Sequence, residues 1–271
     1  MPELPEVETI VRDLARLLPG AEIRDVEVVH ADLVQGEAPD RFAAGLRGAR
    51  VREVTRRAKN ILLHLDRGLL VVNLGMTGRL LVRAPGDDGP THLGVRFRLS
   101  DGRELAYHDV RRFGCLQRYT GDEWRRREEA LGVEPLADEF TAEWLLDAAK
   151  KSRVAAKTWL MDQRRVVGVG NIYASEALFR ARIDPRRPAN TLAKKEAARL
   201  VEATREVLRE AIDFRGTTLL DYRDASGERG EFVERLRVYD RAGEPCRTCG
   251  RAVERIVQGG RSTFFCAHCQ R

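Results

Sequence analysis

Cys-Arg-Thr-Cys-Gly-Arg-Ala-Val-Glu-Arg-Ile-Val-Gln-Gly-Gly-Arg-Ser-Thr-Phe-Phe-Cys-Ala-His-Cys, residues 246–269, carries four of the five cysteines of the chain as two Cys-x2-Cys pairs sixteen residues apart. Each pair places two thiolates on one tight knuckle, and two knuckles complete a tetrahedron for zinc. Four protein ligands leave no open position, so the metal expected here is structural rather than catalytic. The metal ligands are Cys246, Cys249, Cys266 and Cys269, and His268 inside the second knuckle is an exposed non-ligand. The residues between the pairs suit a hairpin turning at Gln258-Gly259-Gly260. Arg247, Arg251, Arg255 and Arg261 make this unit basic, and Arg261 sits at the turn, within reach of a phosphate.

Going back along the chain, residues 215–237 are rich in Gly and charge, notably Asp224-Ala-Ser-Gly-Glu-Arg-Gly230, and read as a mobile loop. Residues 141–213 read as helical, in segments 141–150, 152–162, 171–181 and 191–213, with Val166-Val-Gly-Val-Gly-Asn171 breaking the second from the third. The charged run Glu123–Glu129 lies in an expected linker, 121–140, and reads as a solvated helix face. From about residue 22 to 118 short β-type runs dominate, among them Ile23–Val29, Ile61–Leu65, Leu69–Val72, Leu80–Val82 and Val95–Leu99. Closely spaced strands of this kind suit a sandwich or a barrel. Ahead of them, Val7, Ile10, Val11, Leu14, Leu17 and Leu18 form one apolar helical face that Pro19-Gly20 stops.

The 271 residues suffice for two domains, and 48 Lys plus Arg against 42 Asp plus Glu give a net charge of +6. A basic balance favours polyanionic partners without proving one. No apolar run is long enough to span a bilayer and the first residues lack a signal-peptide pattern, so the expected location is the cytoplasm. Cysteines in a reducing compartment point to metal rather than to disulfides. Cys115 stands alone and reads as a packing residue.

The first residues admit two readings. Pro-Glu-x-Pro-Glu begins a helix well. Loss of Met1 would also expose the secondary amine of Pro2, and an α-amino group with a pKa of roughly 7.7–8 is partly neutral near pH 7. Such an amine can attack a sugar C1′ to form an iminium, with Glu3 and Glu6 close by for proton transfer or cation stabilisation.

Met1-Pro-Glu-Leu-Pro-Glu-Val-Glu-Thr9 resembles the N-terminal signature of the bacterial formamidopyrimidine-DNA glycosylase family. Arg57-Ala-Lys59, Leu74-Gly-Met-Thr-Gly78, Asp109-x-Arg-Arg-Phe-Gly114, Leu160-Met-Asp-Gln163, Gly168-Val-Gly-Asn-Ile-Tyr173 and the terminal cysteine pairs follow in family order. The resemblance implies a multidomain α+β fold. It has an N-terminal catalytic β-sandwich with flanking helices (1–120), a linker (121–140), a helix–two-turn–helix domain with a lesion-recognition loop (141–237), and a β-hairpin zinc finger (238–271). DNA is expected in a basic cleft between the domains.

It further implies a monomeric, nucleoid-associated bacterial enzyme acting on double-stranded DNA that contains an oxidised base or an abasic site. One structural zinc ion and no organic cofactor are expected. The activity implied is removal of oxidised purines followed by β,δ-elimination through a Pro2 iminium. Catalysis falls to Pro2, Glu3, Glu6 and Lys59, with Lys59 near the lesion-side phosphate. Met76, Arg111 and Phe113 fill the gap left by an extruded base, Arg111 facing the orphaned partner. Asn73, His92, Arg112, Lys157, Asn171, Tyr239 and Arg261 complete the DNA-binding set, and Arg261 also donates a proton in the elimination. Gly216-Thr-Thr-Leu219 through Gly230-Glu-Phe232 resembles the loop that closes over a flipped base.

Two departures stand out. Asn73 occupies the place of a histidine before Leu-Gly-Met, so it cannot titrate there. Val110 replaces a proline in Asp-Pro-Arg-Arg-Phe-Gly, which would loosen that loop. Two rivals remain: an endonuclease VIII-like glycosylase for oxidised pyrimidines, and a non-catalytic zinc protein that binds damaged DNA.

Overall fold

The computed structural model describes residues 2–84, 91–218 and 222–271. Two compact units emerge, one of residues 1–129 with 214–233, the other of 130–213 with 234–271.

The first unit begins with helix α1 (Leu4–Leu17), which buries Leu4, Val7, Ile10, Val11 and Leu14. Burying each such side chain contributes roughly 1.5–3 kcal/mol. The helix ends before Pro19, where Gly20 takes a φ of +89°. Then come β1 (Ile23–Val28), α2 (Pro39–Leu46), β2 (Val51–Arg57), β3 (Asn60–Leu65), β4 (Leu69–Asn73), β5 (Arg79–Arg83), β6 (Leu93–Leu99), β7 (Glu104–His108), β8 (Cys115–Tyr119) and α3 (Gly121–Glu128).

The strands form two antiparallel four-stranded sheets, ordered β1-β6-β7-β5 and β2-β3-β4-β8. One core joins α1, α2 and both sheets through residues such as Ile10, Phe42, Ile61, Leu63, Phe97 and Tyr107. This is the β-sandwich expected, with the α1 face contributing to its core. Strand β3 is apolar on both sides, because Leu62 turns outward to join Leu69, Val71 and Trp124 under α3. Residues 121–128 form the helix that the charged run suggests, with one buried residue on it: Thr120 and Glu123 cap each other, and Trp124 is buried.

The sequence reading assigns 214–233 to the helical domain. The structure instead packs this segment into the first unit. Tyr222 and Ala225 enter its core, and Arg215 pairs with both Asp13 and the buried Asp224.

His108 lies at the end of β7, 3% exposed. Burial chiefly, with the charges of Arg83, Arg79 and Arg96, holds its pKa below the ordinary value, only partly opposed by the Thr91 backbone. Below about pH 6.5 the unfolded chain therefore binds more protons than the folded one. Stability is full above that pH and falls as pH drops toward the depressed folded value, with a slope of up to ~1.4 kcal/mol per pH unit. His108→Gln should flatten this loss, read as the urea midpoint at pH 7.5 against pH 5.5.

The second unit holds α4 (Ala142–Ala149), α5 (Ala156–Leu160), α6 (Asn171–Ala181), α7 (Lys194–Asp213) and the hairpin β9 (Glu254–Gln258) with β10 (Arg261–Phe265). The hairpin pairs Gln258 with Arg261 across Gly259-Gly260, as the spacing predicts. Among the described residues no helix is long and apolar enough to cross a membrane.

Candidate active site and nucleic-acid interface

In the first unit, Pro2, Glu3 and Glu6 are all buried, the two carboxylates only 2% and 1% exposed. The helix start explains part of this. Glu6 Oε2 accepts the backbone N–H of Glu3 at 2.7 Å, the reciprocal half of a capping box. Its other oxygen, Oε1, accepts the N–H of Thr217 at 2.7 Å. Gly216 approaches so closely that a Cβ would lie 2.8 Å from Glu6 Oε1, and its φ is +83°. Only glycine fits that approach. Tyr222 donates to the Glu6 carbonyl at 3.4 Å; burial, with the Glu6 charge next in weight, raises its pKa. The loop with which the sequence reading closes over a base is thus seated on the Glu6 carboxylate. Met1 and Leu219, both named in the sequence reading, lie outside the described residues.

Lys59 stands in the two-residue turn joining β2 to β3, partly buried. Ala58 before it has a φ of +56°. Arg56 bonds the Ala58 carbonyl at 3.0 Å and pairs with Glu8, while Arg57 pairs with Glu128 at 2.8 Å. The basic run is therefore largely neutralised within the unit, with its arginines committed to shaping the turn.

The loops bearing Met76 and Phe113 are bound together by a buried carboxylate that the sequence reading left without a role. Asp109, 1% exposed, accepts from Gly114 N–H at 2.9 Å, Arg111 N–H at 3.2 Å, the Tyr107 hydroxyl at 3.2 Å and the Thr77 hydroxyl. Asp is a favoured turn residue for this kind of side-chain-to-backbone bond, which is the signal that could have flagged it. These bonds anchor the 109–114 loop whatever residue stands at 110. Gly75 and Gly114 are required by contact: a Cβ on Gly75 would meet Gly114 N at 2.4 Å, and one on Gly114 would meet the Tyr107 hydroxyl at 1.8 Å.

On this base three apolar side chains face solvent, Met76 39%, Val110 55% and Phe113 60% exposed. The Arg111 guanidinium stacks 4.5 Å from the Phe113 ring centre. Arg112 holds a φ of +53° and reaches Asp32 at 3.3 Å. His92, with a φ of +67°, is exposed and gives its carbonyl to Asp109 N–H at 3.1 Å. Asn73 differs from expectation: both ends of its amide are engaged inside the unit, with Asn60 at 2.9 Å and Gly75 N–H at 3.0 Å.

In the second unit, Gln163 shapes the turn before α6 by accepting from Gly168 N–H at 2.8 Å and donating to the carbonyls of Met161 and Val169. Gly168 has a φ of +79°. Lys157 is 1% exposed, and its Nζ donates to Asn171 Oδ1 at 2.6 Å, Thr263 Oγ1 at 2.7 Å and the Ser262 carbonyl at 2.9 Å. Asn171 Nδ2 in turn lies 3.4 Å from the Tyr239 hydroxyl. Lys157→Met should leave these oxygens unsatisfied and cost on the order of 3 kcal/mol in urea unfolding.

Glu176, fully buried in α6, was not anticipated. Its carboxylate takes the successive N–H groups of Arg237, Val238 and Tyr239 at 2.9–3.0 Å and so sets Tyr239 beside Asn171. Burial raises its pKa against these donors. Arg261 is exposed at the head of β10 and borders a cleft of 380 Å³ together with Lys157, Trp159, Arg164, Arg165 and Gln258.

The sulfurs of Cys246, Cys249, Cys266 and Cys269 lie within 4.8 Å of one another. A tetrahedral zinc with Zn–S bonds of about 2.3 Å sets its sulfurs roughly 3.8 Å apart. The Cys246–Cys269 and Cys249–Cys266 separations of 3.9 and 3.5 Å fit that geometry, and Thr248 N–H bonds the Cys246 sulfur at 3.4 Å. The four cysteines hold one structural zinc ion. His268 is exposed and outside the cluster.

Three family descriptions match successive parts of the chain. They are the formamidopyrimidine-DNA glycosylase N-terminal domain over residues 1–116, the H2TH domain of the same glycosylase over 131–222, and a zinc finger found in FPG and IleRS over 243–271. The formamidopyrimidine-DNA glycosylases of Bacillus licheniformis and Azorhizobium caulinodans are 43% and 45% identical, with both chains covered in full. Among solved structures, MutM (Fpg) from Thermus thermophilus is 44% identical with a TM-score of 0.88, covering 99% of this chain and 98% of its own. Lactococcus lactis Fpg in complex with abasic-site DNA is 29% identical with a TM-score of 0.93, covering 99% of each chain. The sandwich, the glycine turn before α6 and the four-cysteine hairpin are thus matched in order along one chain, which belongs to the formamidopyrimidine-DNA glycosylase family.

Proposed function

We propose that this chain excises oxidised purines from duplex DNA and then cleaves the abasic strand, with the Pro2 amine as nucleophile once Met1 is gone. Its relatives are named formamidopyrimidine-DNA glycosylases, and the Lactococcus lactis neighbours are bound to DNA containing Fapy-dG or an abasic site. The observation that carries the reading is the pair of buried carboxylates, Glu3 and Glu6, at the helix start that follows Pro2.

The amine lone pair attacks C1′ and the bond from C1′ to the base nitrogen breaks, the base leaving with a proton. The C1′–O4′ bond then breaks, O4′ taking a proton to become a hydroxyl, and the opened sugar is held as an iminium that acidifies the C2′ protons. Loss of one of them expels the 3′ phosphate, and a second elimination expels the 5′ phosphate. Glu3 moves the protons. Glu6, fixed by two N–H donors, stabilises the cationic sugar. Lys59 faces the lesion-side phosphate from its turn. Met76, Phe113 and Arg111 occupy the space an extruded base leaves. Asn171, Tyr239 and Arg261 hold backbone phosphates, and Arg261 supplies a proton in the elimination. Zinc keeps the hairpin that presents Arg261 folded.

Borohydride trapping on an 8-oxoguanine:cytosine duplex, with mass mapping of the linked peptide, tests the reading. A link at Pro2 supports it, and a link at Lys59 reassigns the nucleophile. Dominant activity on thymine glycol would favour an oxidised-pyrimidine enzyme. Tight binding without any link, on this duplex or an abasic one, would favour a non-catalytic damage binder.

A further inference from the structure

We infer that the side-chain amides of Asn60 and Asn73 form a positioning pair that ties the Lys59 turn to the Met76 turn, so that both take up their working geometry together. The inference rests on the glycosylase reading above.

The two residues are register partners at the ends of β3 and β4. Asn73 Nδ2 donates to Asn60 Oδ1 at 2.9 Å. Asn73 Oδ1 accepts from Gly75 N–H at 3.0 Å, inside the turn that carries Met76. Asn60 Nδ2 donates to the Arg57 carbonyl at 3.2 Å, across the turn that carries Lys59. The two ends of this chain of bonds are backbone groups of fixed polarity, an N–H at Gly75 and a C=O at Arg57. Each amide therefore has one permitted orientation, since turning either one sets oxygen against oxygen or N–H against N–H.

The linkage continues into the third loop. The Asn73 carbonyl lies 3.3 Å from the Tyr107 hydroxyl, which also meets Asp109 Oδ2 at 3.2 Å, and that oxygen accepts Gly114 N–H beside Phe113. Lys59, Met76 and Phe113 thus stand on one continuous polar framework. Histidine at position 73, as in the family pattern, would make its middle titratable. Two neutral amides keep it independent of pH across the working range. In this reading Asn73 acts through Asn60 rather than through a phosphate.

A double-mutant cycle on the full chain tests the pair, using Asn60→Ala, Asn73→Ala and both. Four quantities are followed: fluorescence of 2-aminopurine beside the lesion, single-turnover base excision, cleavage of a preformed abasic site, and the melting temperature. Each single variant should slow excision by ~10-fold, the effect of one net hydrogen bond. The double variant should be no slower than the slower single, because the same link is lost once. Asn60→Ala should also slow the 2-aminopurine signal of wedge insertion, although residue 60 lies on the Lys59 turn, while melting moves by only a few degrees. Additive losses, a wild-type wedge signal in Asn60→Ala, or rate losses that merely track melting would each overturn the pair. An additive cycle in a chain that still traps DNA at Pro2 overturns the pair alone, whereas a wild type that never traps overturns the function.

Discussion

Replacing Pro2 by glycine, or adding one residue ahead of it, is expected to lower both base excision and strand cleavage by at least ~10³-fold, given that removing a covalent nucleophile can cost ~10⁶. The added residue is the sharper change. It turns the secondary amine of Pro2 into an amide, whose nitrogen lone pair is delocalised and cannot attack C1′. Glycine keeps an amine but loses the ring that fixes its approach to the sugar. Neither change touches Asn171, Tyr239, Arg261 or the wedge, so binding to a duplex with an uncleavable abasic analogue should stay within a few-fold of wild type. Quench-flow rates on 8-oxoguanine duplexes and on preformed abasic sites, set beside that affinity, check the expectation. Retention of both rates by the extended chain would reassign the chemistry to a side-chain amine such as Lys59.

Removal of the metal is expected to have the next largest effect. Structural zinc in small finger units contributes on the order of 10 kcal/mol to folding at neutral pH. The cysteines sit at the centre of the hairpin's packing. Its local core is Phe179, Val238, Val253 and Phe264 around the cysteines themselves. Cys249→Ser, or a strong chelator, should take bound zinc from one ion per chain to none by atomic absorption. Duplex affinity should fall by ~100-fold or more, consistent with the loss of several kcal/mol of phosphate contacts. The loss should reach beyond Arg261, because the buried Lys157 donates to the Ser262 carbonyl and the Thr263 hydroxyl of β10. The Asn171 contact should loosen with the hairpin. Wild-type affinity in a zinc-free chain would show that the thiols only pack.

Much of the architecture was legible from periodicity and spacing. Val7 to Leu14 mark the buried side of α1, the cysteine pairs mark the finger, and Gly259-Gly260 marks its turn. Strand order was not legible, since the apolar run of β3 states burial on two faces but names no neighbours. Nor was the placement of 214–233. Its Gly and charged residues read as a solvated loop, yet Asp224 and Arg215 satisfy each other and Gly216 is small enough to lie against Glu6. At the site, residue type suggested Pro2 and Glu3, and the family resemblance suggested Lys59. The supports within each unit, Asp109 and Asn60 in the first and Glu176 in the second, are ordinary polar residues whose weight comes from burial and from their partners. Lys157 shows the converse. The resemblance puts this lysine in the DNA-binding set, and the structure buries it against Asn171, Ser262 and Thr263.

The bond between Glu6 and Thr217 spans 211 positions of the chain. At a synthesis rate of roughly 5–20 residues per second, the segment that seats this carboxylate leaves the ribosome some 10–40 s after the helix it serves. A nascent chain thus carries its amino-terminal helix long before the Glu6 carboxylate gains its Thr217 partner. On the proposed function, the amino-terminal site is therefore completed only after Thr217 has been made. Truncation before residue 214 should leave a chain that folds its finger-less remnants but never assembles a working amino terminus.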